Sequence, residues 1–424
     1  MARAREGFSP AQVQVIWVLW ATYGAFYFCR SNISAAIPGL QVELELSKAE
    51  IGTILGALKL CYGLGQLVNG QLAERVSPRV LLAIGMFTSA GLNAVFGLAT
   101  GFYFLLFVWG MNGYMQALGW APCMRVAANW FSPTSRGRAV ALVATGYLLA
   151  GGAVAVVAGW SAEWLGWRGA HYVPAALLAA VGVFTLLNLK ERPPEPAGAM
   201  GAGAGGGAAP SSAAAGPGSG SWLHTLAVTV ANPRLWLIAI ALGLVDACRY
   251  GFLDWGITHL MEVQGGGVGK NALKFAILPL GGVAGALTAG WVSDRLFGGR
   301  RVPVLILMLL LLAALAVLYD GVVRASLPAS IALLAIIGFC IYGPQVLLVG
   351  PAAMDMARAG KSAAAVGFAN LFGYLGAFCG DLTTGALAGA HGWQAAVYFW
   401  AACAACAALF IAPLWRFSAA GERR

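Results

Sequence analysis

Apolar runs long enough to span a membrane alternate with short polar segments along the whole chain. A helix rises 1.5 Å per residue, so about 20 apolar residues cross a hydrocarbon layer of about 30 Å. The pattern predicts an all-α membrane protein with twelve transmembrane helices, at residues 13–38, 49–72, 80–99, 102–130, 136–163, 170–189, 234–260, 271–293, 302–319, 327–350, 362–388 and 394–415.

A stretch rich in Gly, Ala, Pro and Ser divides the chain into two hydrophobic blocks. It has no apolar periodicity and almost no charge, which is typical of a flexible linker. The predicted organisation is an N-terminal six-helix bundle at 1–192, a cytoplasmic linker at 193–231 and a C-terminal six-helix bundle at 232–424.

The two blocks repeat the same short motifs in the same order. Six helices per block leave both ends of each block on one side, so the repeats must be parallel and related by a pseudo-two-fold axis along the membrane normal. The motif pairs, at offsets of 220, 227 and 226 residues, are Gly70-x-x-x-Glu74-Arg75 with Gly290-x-x-x-Asp294-Arg295, Gly146-Tyr147 with Gly373-Tyr374, and Gly166-Trp167 with Gly392-Trp393.

Composition and charge agree with this interpretation. Hydrophobic residues make up 60% of the chain and charged residues 10%, and the mean hydropathy is +0.77, which excludes an ordinary soluble domain. Of the 26 Lys and Arg residues, we place 17 on one side of the membrane and five on the other. Because these residues favour the cytoplasmic side, we expect a multi-pass protein of the cell (inner) membrane with both termini in the cytoplasm.

Neither nucleic-acid binding nor enzyme chemistry is indicated. The net charge of +10 comes from loop residues sorted by topology, not from a basic stripe. The eight cysteines lie in apolar segments without metal-ligand spacing, and the sequence contains no nucleophile-base arrangement. We therefore expect no nucleic-acid partner, no cofactor, no metal and no enzymatic activity.

Two arginines each interrupt an apolar span at the same depth. Arg30 lies in YGAFYFCRSN and Arg249 in DACRYGFLDW. A guanidinium at mid-membrane costs on the order of 2.5–3.5 kcal/mol even on lenient insertion scales, so two at matching depth indicate a function. The guanidinium is a rigid fork that binds phosphate or carboxylate oxygens bidentately. This predicts a polyanionic substrate held between the two halves.

Tyrosines on the first span could assist Arg30. Tyr23 and Tyr27 precede it at helical spacing and so share its face, and phenol hydroxyl groups suit phosphate oxygens. The alternative for each is a packing role. Lys59 and Gln66 share a face of the second span, where Lys59 either adds charge to the cavity or forms a structural pair.

Two intramembrane acids are further candidates for substrate or proton coupling. Asp246 lies three residues before Arg249 on the same face and could neutralise it in the empty state. Asp381 lies within the eleventh span, where it either carries a proton or is satisfied by a neighbouring Thr, Lys59 or Arg125.

Charged residues at the ends of the second and eighth spans form the motifs GQLAERVSPR and GWVSDRLFGGRR. Acids and arginines there could pair across a cytoplasmic interface that opens and closes, although ordinary cytoplasmic charge is the alternative. Both motifs resemble the loop motif G-x-x-x-D/E-R-x-x-x-R of the major facilitator superfamily. The candidate gating residues are Glu74, Arg75, Arg79, Asp294 and Arg295.

Longer strings resemble one family within that superfamily. YFCRSN, GWAPCMRVAANWFSPTSRGR, RYGFLDWGITHLMEV, IYGPQVLLVG and GFANLFGYLGA are similar to the organophosphate:phosphate antiporters. The resemblance implies that Arg30 and Arg249 bind a phosphoryl group, that Tyr27 occupies a family position, and that Tyr147, with its repeat counterpart Tyr374, lines the site. Asp254, in the family-like LDW, is expected to support gating.

The chain departs from the family pattern at three positive or protonatable positions. The span 5 histidine of the family aligns with Tyr147, the lysine after the first arginine with Ser31, and a span 2 lysine with Gln66. The expected function is alternating-access transport of an organophosphate or related small organic anion in exchange for inorganic phosphate. The alternatives are proton-coupled symport through Asp381 or Asp246, and a transporter-like sugar-phosphate sensor with a kinase partner.

Overall fold

A computed structural model describes residues 8–193, 227–357 and 362–416, and this part of the chain is helical without any strand. The first half contains α1 (Pro10–Phe26), α2 (Ile33–Glu43), α3 (Lys48–Arg75), α4 (Pro78–Phe96), α5 (Phe102–Gln116), α6 (Trp120–Trp130), α7 (Pro133–Leu165) and α8 (Gly169–Asn188). The second half contains α9 (Pro233–Gln264), α10 (Val268–Phe275), α11 (Ile277–Arg295), α12 (Arg301–Ala325), α13 (Leu327–Leu347), α14 (Ser362–Ala390) and α15 (Trp393–Ile411). Most of the predicted linker, residues 194–226, lies outside the described residues, so the domain boundaries stay a prediction.

Local sequence fixes where several helices begin. Ser9 and Ser47 each accept a hydrogen bond from the amide of the residue three positions on, and Gln12 and Glu50 accept one from the serine amide in return. This capping box satisfies amides that a helix start otherwise leaves unpaired. The starts of α1 and α3 are therefore encoded locally.

The predicted first span is wrong as a continuous helix. After α1, a 3-10 turn covers Tyr27–Cys29, and α2 starts only at Ile33. The carbonyl of Cys29 accepts hydrogen bonds from the side-chain amides of Asn93 at 3.3 Å and Asn112 at 2.8 Å. Since a backbone group freed inside a membrane must find a protein partner, these amides stabilise the break. Arg30 thus lies between two helical segments.

The number of spans agrees with the hydropathy pattern in outline. Nine helices of the described residues are long and apolar enough to cross a membrane, and the bent α3 makes a tenth. Two more predicted spans, 13–38 and 102–130, are interrupted, the second between α5 and α6. Counted as one span each, they would bring the number to the predicted twelve, a count that stays a prediction.

The two halves pack their helices in the same pairs. In the first half α1 packs on α7, α3 on α5, and α4 on α8. The equivalent pairs of the second half also pack together, namely α9 with α14, α11 with α13, and α12 with α15. The repeat predicted from short motifs therefore extends to the tertiary structure.

A Trp–Glu hydrogen bond occurs once in each half, and the two glutamates differ in their ion-pair partners. Trp167 Nε1 donates to Glu43 Oε2 at 2.7 Å, and Trp393 Nε1 donates to Glu262 Oε2 at 2.7 Å. Glu43 also pairs with Arg168 of its own half. Glu262 instead pairs with Lys48 of the other half, at 2.7 Å. The second copy therefore joins the two halves.

The halves contact each other at one end, here called the Lys48 end. There Lys48 pairs with Glu262, and Glu163 accepts a hydrogen bond from the Gly269 amide at 2.6 Å. α3 follows α14 as far as Gly63, which lies against Tyr374.

Towards the opposite end, here called the Glu74 end, the same two helices no longer meet. A Cβ added at Gly70 on α3 or at Gly367 on α14 would have no atom within 4 Å. Among the described residues, the two halves are therefore in contact at the Lys48 end and apart at the Glu74 end.

Close helix contacts at glycine make a testable prediction. A Cβ at Gly338 on α13 would collide with the Leu278 carbonyl oxygen. Overpacking costs about 1–3 kcal/mol, so Gly338→Val is expected to lower the melting temperature of the detergent-purified protein by several degrees. The control is Gly321→Ala on α12, where a Cβ meets nothing within 4 Å. It should leave the melting temperature unchanged or slightly raised, since Ala favours a helix. Equal melting temperatures for Gly338→Val and the parent would contradict the contact.

Candidate binding site

Arg30 is buried in the break between α1 and α2, with 4% of its surface exposed. Its Nε donates to Gln116 Oε1 at 3.1 Å, and its guanidinium carbon lies 4.7 Å from the ring centre of Tyr27 and 4.4 Å from that of Tyr62. Nη1 and Nη2 are buried without a hydrogen-bond partner among the described residues. Buried cationic donors left unpaired are costly, so these two groups are suited to an anionic ligand.

A chain of side-chain hydrogen bonds fixes the direction of the Arg30 guanidinium. Gln116 Nε2 donates to Ser89 Oγ at 2.7 Å, and Ser89 Oγ donates to Asn112 Oδ1 at 2.6 Å. Asn112 in turn holds the carbonyl of Cys29, the residue before Arg30. The backbone break and the side-chain direction are therefore held by one network.

Arg249 is the counterpart on α9, also 4% exposed. Its Nη1 lies 3.4 Å from Asp246 Oδ1, as the spacing of three residues predicts. Its guanidinium carbon lies 4.6 Å from the ring centre of Tyr250 and 5.1 Å from that of Tyr342. Its Nε is buried without a hydrogen-bond partner among the described residues.

Tyrosines from both halves surround the two guanidinium groups. On α3, Tyr62 contacts Arg30, and Lys59, one helical turn away, contacts the ring of Tyr250. The Tyr250 ring also contacts Arg249, so both arginines border one chamber. Tyr62 meets Tyr374 across the halves, with ring centres 4.6 Å apart. The chamber tyrosines are Tyr23, Tyr27, Tyr62 and Tyr147 of the first half and Tyr250, Tyr342 and Tyr374 of the second.

Aromatic rings stabilise the arginines without consuming their donors. The face of an aromatic ring carries negative charge density and attracts a cation. The N–H groups of a guanidinium lie in its own plane, so a ring over that plane leaves them free to bind oxygen. The chamber therefore holds two permanent cations in a state that can still accept an anion.

Four tyrosines predicted to bind substrate border the chamber, and Gln66, a candidate for substrate or proton coupling, contacts one of the chamber tyrosines. Tyr27 stacks on Tyr147 with ring centres 5.4 Å apart, and Tyr23 contacts both rings. Gln66 donates through Nε2 to the Tyr62 hydroxyl at 2.9 Å. Gln66 thus positions Tyr62. The roles of these residues in binding stay predictions.

Sequence reasoning missed four residues of the chamber, although signals for them exist. Tyr250 directly follows Arg249, and Tyr62 lies four residues before Gln66, one helical turn away. Tyr342 lies 226 residues after Gln116, the same offset as between the two Gly-Trp motifs. Gln116 of span 4, which contacts Arg30, and Tyr342 of span 10, which contacts Arg249, are therefore equivalent positions of the repeat.

Lys59 does not add a free charge to the chamber. Its Nζ lies 2.6 Å from Asp254 Oδ2 and 3.5 Å from Asp381 Oδ2. The structure thus agrees with the structural-pair alternative for Lys59. Arg125 plays no part in satisfying Asp381, since it donates to the carbonyl oxygens of Ala73 and Val76.

The candidate gating residues at the Glu74 end form no ion pair across the halves with any residue that the structure describes. Asp294 pairs with Arg301 at 2.8 Å, and Arg301 lies 3.5 Å from Asp355, all within the second half. Arg295 is exposed, so Arg301 is the arginine that pairs with Asp294.

The first-half copy of the motif is likewise engaged locally. Arg79 bonds to Leu189 and Glu191, whereas Glu74 and Arg75 are exposed and form no ion pair with described residues. The described parts of the two halves are apart at this end, so the gating role of the motif stays a prediction.

Several proteins resemble this chain over most of its length. A probable hexose phosphate transport protein of Chlamydia pneumoniae is 28% identical over 417 residues, which cover 95% of this chain and 91% of the relative. The membrane sensor protein UhpC of Escherichia coli is 30% identical over 369 residues, covering 86% and 83%. The glycerol-3-phosphate transporter of Bacillus subtilis is 30% identical over 375 residues, covering 86% and 83%.

Comparison of structures supports the fold, and a family model supports the assignment. A bacterial homologue of the human lysosomal transporter Spinster, in an inward-facing and unoccupied conformation, matches with a TM-score of 0.74 at 17% identity, covering 98% of both chains. The model of the Major Facilitator Superfamily matches residues 19–380 and 273–424. The chain therefore belongs to the major facilitator superfamily and, within it, to the organophosphate:phosphate antiporter family.

Proposed function

We propose that this transporter binds a phosphate ester or a related small organic anion between Arg30 and Arg249 and carries it by alternating access in exchange for inorganic phosphate. The observation that carries the proposal is the pair of buried guanidinium groups, one from each half, with donors that no described residue satisfies. An anion bridging them would supply the missing acceptors and reduce the repulsion between two like charges.

The charge of the chamber limits what it binds. Arg30 and Arg249 contribute two positive charges, Asp246 removes one, and Lys59 is occupied by its own carboxylates. A net charge of about one favours singly charged anions, such as a protonated phosphate ester, unless Asp246 moves away from Arg249. Tyr147 and Gln66 replace the histidine and lysine of the family. The loss of these two positive or protonatable groups also favours an anion of low charge.

Exchange follows from the same electrostatics. In a rocking mechanism the empty site must also close, which brings two buried cations together without a ligand. That closure is costly in a medium of low dielectric constant, whereas closure around phosphate is not. The return step is therefore expected to need a second anion, which is the requirement for exchange.

The shape of the molecule fits one state of such a cycle. The halves meet at the Lys48 end and part at the Glu74 end. Because positive residues favour the cytoplasm, we place the Glu74 end and both termini inside the cell, in the inner membrane. In this orientation the chamber opens towards the cytoplasm.

The relatives support the substrate class. A probable hexose phosphate transport protein and a glycerol-3-phosphate transporter share 28% and 30% of their aligned residues with this chain. Their common chemistry is a phosphate ester on a small polyol. We infer that the same class of compound is carried here.

The two arginines give the first test of this function. Arg30→Lys and Arg249→Lys keep a positive charge but lose the bidentate fork, so each should reduce exchange of radiolabelled phosphate in proteoliposomes at least tenfold. Arg324→Lys is the matched control. Arg324 pairs with Asp320 within the second half, away from the chamber, and its replacement should leave exchange near the parent rate. Parent-like exchange by both chamber variants would refute the proposal.

Asp246 gives a second test, through affinity. Its carboxylate competes with a ligand for Arg249 and repels an incoming anion. Asp246→Asn is therefore expected to tighten phosphate binding about tenfold, which corresponds to about 1.4 kcal/mol. Isothermal titration of the detergent-purified protein measures this. Asp320→Asn removes a carboxylate of the same half outside the chamber and should not change the phosphate affinity. Equal or weaker binding by Asp246→Asn would show that the carboxylate does not compete.

The resemblance to a membrane sensor protein supports one alternative, a receptor that binds a sugar phosphate without carrying it. A sensor would bind glucose 6-phosphate in the titration yet show no exchange in proteoliposomes, and it would retain a kinase in a pull-down from its own membranes. Exchange at rates well above protein-free liposomes excludes this alternative.

A further inference from the structure

A second buried charge cluster lies where α3, α9 and α14 meet, on the Lys48 side of the chamber. Lys59 comes from the first half, and Asp254 and Asp381 come from the second. These residues are 2%, 2% and 0% exposed. Lys59 Nζ lies 2.6 Å from Asp254 Oδ2 and 3.5 Å from Asp381 Oδ2.

The charges in this cluster do not balance. One ammonium and two carboxylates leave a net charge of −1 when all three are ionised. Both oxygens of Asp381 are buried without a hydrogen-bond partner among the described residues. A buried charge that is neither neutralised nor hydrogen-bonded costs several kcal/mol, whereas one added proton removes the excess charge.

No other charged group that the structure describes on the neighbouring helices forms an ion pair with the cluster. Tyr250 of α9 presents its ring to Lys59, with Nζ 4.3 Å from the ring centre. α5 and α15, which pack on α3 and α9, carry no Lys, Arg, Asp or Glu. Other charged residues on neighbouring helices are engaged elsewhere, namely Arg249 with Asp246, Glu43 with Arg168, and Asp320 with His259 and Arg324.

We propose that Lys59, Asp254 and Asp381 form a proton-binding site in which the two carboxyl groups share one proton while the Lys48 end is closed. The site adjoins the anion chamber, where Tyr250 contacts both Lys59 and Arg249, and the inference does not rest on the proposed substrate. It assigns a ligand, the proton, to residues that no packing requirement explains.

The pseudo-symmetric interface supports this reading. The contact between α3 and α14 has its repeat equivalent where α7 meets α10 and α11. At the repeat offsets of 220 and 227 residues, Lys59 corresponds to Pro279 and Asp381 to Val154. Pro279 there packs against Gly151 on α7. An apolar contact therefore suffices to hold the halves together at one interface, and the charges at the other serve another purpose.

Opening of the Lys48 end would separate Lys59 from both carboxyl groups, because they belong to different halves. In contact with water an aspartic acid titrates near 4, so the shared proton would leave the carboxyl oxygen for water on the outer side. Closure would reverse the step: a proton from outer water binds one carboxylate, and Lys59 pairs with the other. The closed state thus binds one proton more than the open state.

The sign of the pH dependence follows by linkage. Raising the pH favours the state with fewer bound protons, which is the state open at the Lys48 end. For one proton the ratio of open to closed molecules should rise up to about tenfold per pH unit above the range in which the exposed carboxyl groups titrate.

Spin labels can measure this equilibrium without any anion. Val42 and His391 are exposed at the Lys48 end, one on each half, and Cys379 and Cys406 are exposed cysteines that would be replaced by serine. Double electron–electron resonance between labels at Val42→Cys and His391→Cys, in nanodiscs from pH 5.5 to 8.5, reports the open fraction. We expect this fraction to rise with pH in the parent and to become independent of pH in Asp381→Asn.

Control variants keep the test decisive. Asp320→Asn, which removes a carboxylate of the same half outside the cluster, should retain the pH dependence. Asp254→Asn should abolish the pH dependence, as Asp381→Asn does. It can replace Asp381→Asn in the test if Asp381→Asn fails to fold. Infrared difference spectra of the unlabelled protein should show a protonated carboxyl group that is lost in either variant. A parent equilibrium that does not change with pH, or a slope retained in both cluster variants, would overturn the proposal.

Discussion

Two permanent positive charges in an apolar interior constrain the rest of this structure. A guanidinium cannot lose its proton, so Arg30 and Arg249 must be stabilised by surroundings that still allow a ligand to bind. The protein meets this need with aromatic faces, one amide acceptor on Arg30 and one carboxylate on Arg249. Three features hold the arginines in this environment. They are the break of the first span, the hydrogen-bond network that orients Gln116, and the tyrosine side chains that surround the chamber.

Duplication explains the scaffold, and departures from symmetry explain the chemistry. The same helix pairs and the same Trp–Glu hydrogen bond occur in both halves. Function resides where the copies differ. Gln116, which contacts Arg30, corresponds by the repeat to Tyr342, which contacts Arg249. Glu262 pairs with Lys48 of the other half, whereas Glu43 pairs with Arg168 of its own half. Lys59 pairs with carboxylates, whereas its counterpart Pro279 packs against a glycine.

The ion pairs that join the halves are mixed in kind. Lys48–Glu262 lies at the surface of the Lys48 end, where water screens the charges and the pair is weak. Lys59 with Asp254 and Asp381 is fully buried, where breaking a pair is expensive unless water or a proton replaces the partner. Both contacts must break when the Lys48 end opens. The surface pair is therefore expected to make this opening sensitive to salt, and the buried, proton-dependent cluster to make it sensitive to pH.

The sequence by itself determined the helical fold, the duplication and the two arginines, because hydropathy, repeated motifs and intramembrane charge are local signals that survive without coordinates. It did not reveal the break before Arg30, since that break depends on Asn93 and Asn112 from other helices. Only the tertiary structure decided that Lys59 belongs to Asp254 and Asp381 instead of to the chamber. Residues 195 and more positions apart become partners through the packing of the two halves, and no pattern along the chain records that distance.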